Sequence, residues 1–184
     1  MTGMRGREIV MPRALALLHG ERSTAFDLFL VYGTGILFGI LAVVLAGTRV
    51  AALPWEKSLL LFLVAAFASG GVVTCFSPGM DRYYAARPAL RWTFIFSHVV
   101  GPALLFLLFD GRLAYWAFLY VYTVAAASLV NVIREKERQQ LTAAALVALG
   151  TVVLLPLSLD APFLAWFAPV YMVKMVLAFS VRRT

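Results

Sequence analysis

Apolar residues run in long blocks along this chain, and polar residues collect in short clusters between them. Six blocks reach the roughly 20 residues that a helix rising 1.5 Å per residue needs to cross a hydrocarbon core of about 30 Å. They predict spans over residues 26–47, 58–76, 88–109, 113–133, 141–159 and 161–181, giving an all-α bundle of six transmembrane helices in a single polytopic domain, 1–184. No soluble insert, linker or internal repeat interrupts this pattern.

The polar punctuation refines the reading. Thr24 and Asp27 have capping-box spacing at the start of the first span, so Asp27 has a structural reading as a satisfier of backbone donors. Gly35 and Gly39 form GxxxG, continued by Ala42 and Ala46, and Ala66, Gly70 and Gly71 give the second span a small-residue face. Pro88 is placed to open the third span, and Gly101-Pro102 is expected to kink it. Pro12 to His19 reads as a short helix at the membrane surface, or equally as a frayed tail.

Ser77 to Trp92 is the longest polar interruption, and its arginines with Tyr83, Tyr84 and Trp92 mark a cytoplasmic loop. Twelve of the Lys and Arg residues fall in the N-terminal tail, this loop, the 134–138 turn and the C-terminus, against Arg49, Lys57 and Arg112 in the alternate loops. Both termini are therefore expected in the cytoplasm of a bacterial-type inner membrane.

Composition agrees and excludes some classes. The chain is 62% hydrophobic and 14% charged, with mean hydropathy +0.89, against roughly 25% charged residues in soluble domains. Its net charge of +7 lies at span ends, where anionic lipid accounts for it, and no nucleic-acid partner is expected. Cys75 alone makes no disulfide, and His19 and His98 do not suit a haem bundle, so no cofactor or metal is expected. No hydrolase, metalloprotease or P-loop spacing appears.

The remaining polar residues within the spans gather toward the cytoplasmic half. Lys174 is the most informative, because a lysine near a span centre costs about 2.5–3.5 kcal/mol on insertion scales. It either snorkels to the head groups or faces the bundle as an ion pair or anion site. Asp27 and Asn131 are its candidate partners, and His98 reads as a hydrogen-bonding ligand group or a core histidine. Arg82, Arg87 and Arg91 are expected at lipid head groups. These residues predict a transporter or substrate-binding membrane component with a cytoplasm-facing pocket formed by Lys174, His98, Asn131 and Asp27. Two other classes stand beside it. One is a structural subunit bound to a membrane partner or to its own copy through the glycine stripes. The other is a head-group enzyme with Asp81 as base.

Overall fold

The computed structural model describes residues 8–47, 54–109, 113–157 and 162–182. Arg5, Arg7, Arg49, Arg112 and Arg183, with most of the connections expected on the far side, lie outside them. The chain opens with β1 (Glu8–Val10), α1 (Arg13–His19) and β2 (Arg22–Thr24). The strands pair antiparallel, with Ile9 opposite Ser23, so this N-terminal strap adds a small ribbon to the expected all-α fold.

The helices that follow are α2 (Ala25–Ala46), α3 (Trp55–Phe76), α4 (Pro78–Ala85), α5 (Pro88–Ser97), α6 (Val100–Phe109), α7 (Leu113–Val132) and α8 (Lys136–Leu157). A 3-10 turn (Pro162–Leu164), α9 (Phe167–Met172) and a π-helix (Val173–Phe179) complete the described chain. Among the described residues, six stretches are long and apolar enough to cross a membrane: α2, α3, α5 with α6, α7, α8, and the last segment from Pro162 to Phe179. The chain is an all-α multi-pass membrane protein. Large apolar side chains such as Phe29, Leu45 and Val152 are exposed on the outer faces of the bundle, the surface that lipid covers.

α3 and the last segment form the centre of the bundle, with 44% and 56% of their spanning windows buried. α2 lies along α3 because glycine lets the backbones meet. A Cβ at Gly35 would stand 2.9 Å from the Ala66 carbonyl, and one at Gly70 would stand 2.9 Å from that of Val31. The close helix approach expected of these glycines is thus made within the chain. Asp27 accepts from the Thr24 backbone N–H at 3.0 Å and Thr24 Oγ1 accepts from Asp27 N–H at 3.1 Å, completing the capping box.

The third span breaks at His98 and Val99, upstream of the expected kink at Gly101-Pro102. Pro102 has no N–H to give the His98 carbonyl, and a proline ring crowds the carbonyl four residues before it. The Tyr171 hydroxyl fills the gap, donating to His98 O at 2.8 Å and tying this break to α9.

Candidate functional site

Lys174 lies in the first turn of the π-helix and is 5% exposed, so its ammonium stays inside the bundle. Its stem lies over Gly71 of α3, where a Cβ would stand 2.6 Å from Cε and 2.8 Å from Nζ. The ammonium is 5.0 Å from the centroid of the Phe67 ring, a cation–π contact from one helical turn away. Cys75 and His98 lie within electrostatic reach. Among the described residues no carboxylate forms an ion pair with Lys174. A lysine buried away from carboxylates keeps its charge only where an anion or polar groups compensate it, and π-helical turns are frequent at functional sites.

His98 Nδ1 donates to its own helix at Phe94 O, 2.6 Å away, and the His98 ring packs 4.1 Å from that of Phe94. It belongs to the Lys174 neighbourhood with one ring nitrogen already committed. Asp27 is engaged in the α2 cap.

Asn131 belongs to a second buried constellation, built on Arg91. That arginine, expected at the head groups, is 3% exposed. Its Nε donates to Asn131 Oδ1 at 2.8 Å, and Nη2 donates to the carbonyls of Phe179 and Ser180 at 2.6 and 3.1 Å. Asp81 faces it at 3.8 Å. Helix ends leave carbonyls without partners, and a cation there also meets the negative end of the helix dipole. Arg91 therefore caps the last span from α5. Nearby, Gln139 Nε2 donates to Val130 O and Ile133 O at the end of α7, while its Oε1 accepts from Arg182 N–H.

The strap seats on the same end of the bundle. The Thr74 hydroxyl donates to Leu18 O at 2.7 Å, leaving its oxygen to accept from His19 Nδ1–H at 3.3 Å. In the neutral ring that burial favours, Nε2 accepts from the Tyr32 hydroxyl at 3.0 Å. Burial holds the His19 pKa below its usual value. The Tyr84 hydroxyl donates to Leu17 O at 3.0 Å. Gly20, at φ 75°, lets the chain turn directly against the Gly79 backbone. Arg87 pairs with Glu21 at 2.6 Å and stacks over Tyr83, and Arg82 approaches Glu8 at 3.9 Å.

Lys174 thus lies within electrostatic range of His98, while Asn131 and Asp27 are engaged elsewhere. The neighbours that sequence reasoning did not give to Lys174 are Phe67, Gly71 and Cys75, all on the second span. The tandem Gly70-Gly71 carried the signal: Gly70 meets α2, so its neighbour, turned about 100° around the helix, serves another contact. No protein-family model, curated protein or solved structure matches this chain.

Proposed function

We propose that this chain is a multi-pass transport or substrate-binding component of a bacterial-type inner membrane, and that Lys174 binds a small anion reached from the cytoplasm. The observation that carries this reading is the buried Lys174 ammonium, accommodated by a bare Gly71 and faced by no carboxylate among the described residues. An anion entering between α3 and the π-helix supplies the missing charge in a medium of low dielectric, where pairing is strong. His98 lies within electrostatic range of the same ammonium. The distribution of Lys and Arg supports placing both termini, the strap and α4 in the cytoplasm. Any driving force comes from an ion gradient or a separate subunit, since no P-loop spacing appears in the sequence.

The test is thermal unfolding of the purified protein in detergent with sodium salts of chloride, phosphate, sulfate and small carboxylates. A bound anion at a hundredfold excess over its Kd stabilises by about 2.7 kcal/mol. One anion class should raise the Tm of the wild type and leave Lys174→Met unmoved. Equal responses of both proteins to every salt would refute the assignment.

A further inference from the structure

A second basic site lies outside the bundle core, between the strap and α4. A cavity of about 550 Å³ opens there, with Arg13, Arg22, Arg87, Tyr83 and Glu21 among its lining residues. Two of the three arginines have carboxylate partners, Arg22 with Glu8 and Arg87 with Glu21, and both acids are well exposed. Such surface pairs are weak and re-form readily around a competing anion. Arg13 is exposed and has no ion pair among the described residues.

The rim is apolar. Val10, which lines the cavity, is 74% exposed, and Ile9, Leu15 and Leu17 on the same strap are 38–43% exposed. β2 runs without interruption into α2, and Phe26 and Phe29 in the first turns of α2 are exposed as well. The cavity therefore lies at the level where the first span meets the membrane surface, whichever way the bundle is inserted. Cationic groups inside and exposed aliphatic groups outside match a molecule with an anionic head and acyl chains. A free phosphate would leave the exposed Val10 uncovered.

We propose that the strap and α4 form a binding site for the phosphate of an anionic phospholipid, with Arg13, Arg22 and Arg87 as its cationic wall and Val10 against the start of the acyl chains. The site involves Arg87 as the sequence suggested, and it replaces the buried Arg91 by Arg13 and Arg22. It is independent of any ligand at Lys174.

The experiment is native mass spectrometry of delipidated protein titrated with phosphatidylglycerol, with phosphatidylcholine in parallel. The wild type should bind the anionic lipid preferentially. Arg13→Gln with Arg22→Gln should weaken that binding roughly thirty-fold, and Arg13→Gln alone about five-fold. Arg134→Gln with Arg138→Gln makes the same change of charge on another loop and should alter it less than about two-fold. Unchanged thermal unfolding of the variants will show that the strap remains docked. Equal loss in both double variants, equal affinity for phosphatidylcholine, or displacement of the lipid by millimolar inorganic phosphate would each overturn the proposal.

Discussion

Replacing Arg91 by Met tests whether the end of the bundle is held by a buried charge. The substitution keeps most of the side-chain volume and removes three hydrogen bonds, to Asn131 Oδ1, Phe179 O and Ser180 O. It also leaves Asp81, 6% exposed, without the guanidinium that faces it. Breaking a buried pair from one side costs about 3–5 kcal/mol, mostly because the remaining charge is uncompensated. Each carbonyl left without a donor adds up to about 1–3 kcal/mol, less whatever relaxation of the chain end recovers. A loss of about 3–5 kcal/mol is therefore expected in equilibrium unfolding in mixed micelles, followed by tryptophan fluorescence.

Three further variants separate the causes. Asp81→Asn in the Arg91→Met background removes the carboxylate that the guanidinium faced and should recover about 2 kcal/mol. Arg91→Lys should recover little, because an ammonium on a flexible stem does not present the planar fork that reaches Asn131 and the two carbonyls together. Arg82→Gln, at a half-exposed arginine 3.9 Å from Glu8, should change stability by less than about 0.5 kcal/mol. If Arg91→Met unfolds within about 1 kcal/mol of the wild type, or Arg91→Lys restores full stability, the capping role assigned to Arg91 is wrong.

Two other outcomes follow from the same geometry. His19 is held neutral by burial, with both ring nitrogens bonded. Its contribution is full above the unfolded value of about 6.5 and is lost as pH falls through the lowered folded value. Wild-type Tm should thus drop more than that of His19→Gln between pH 7.5 and 5, and parallel curves would refute this. Gly35→Ala pushes a methyl to 2.9 Å from the Ala66 carbonyl, which should destabilise by about 1–3 kcal/mol in the micelle assay. Gly33→Ala meets nothing within 4 Å and should be neutral or mildly stabilising, so equal effects at the two glycines would argue against this α2–α3 contact.

The spans were legible in the sequence because hydrophobic length is a local property, and so was the Thr24–Asp27 cap, which needs only four residues. The partners of Arg91 were not legible. They lie 40, 88 and 89 residues away, and nothing local distinguishes an arginine turned inward from one at the head groups. Proline gave half of its message. Gly101-Pro102 announced an irregularity in the third span, but the break appears at the carbonyl that Pro102 disturbs, one turn earlier. The π-helix had no local signal: Lys174 marked the span as unusual without saying that the helix widens there or that Gly71 makes the room. Pro12 to His19 read equally as a short surface helix or a frayed tail, and nothing local announced that residues 8–10 pair with 22–24 while Gly20 fits against Gly79.

The capping of the last span by Arg91 also sets an order on biosynthesis. At about 5–20 residues per second, the 88 residues between Arg91 and Phe179 take several seconds to emerge from a ribosome. Through that interval the nascent protein carries Arg91 and Asp81 without the carbonyls that complete their surroundings. A chain truncated after the fifth span remains in that condition permanently. Completion of the sixth span is thus the event that closes this end of the bundle, and quality-control proteases have an open end to recognise until it occurs.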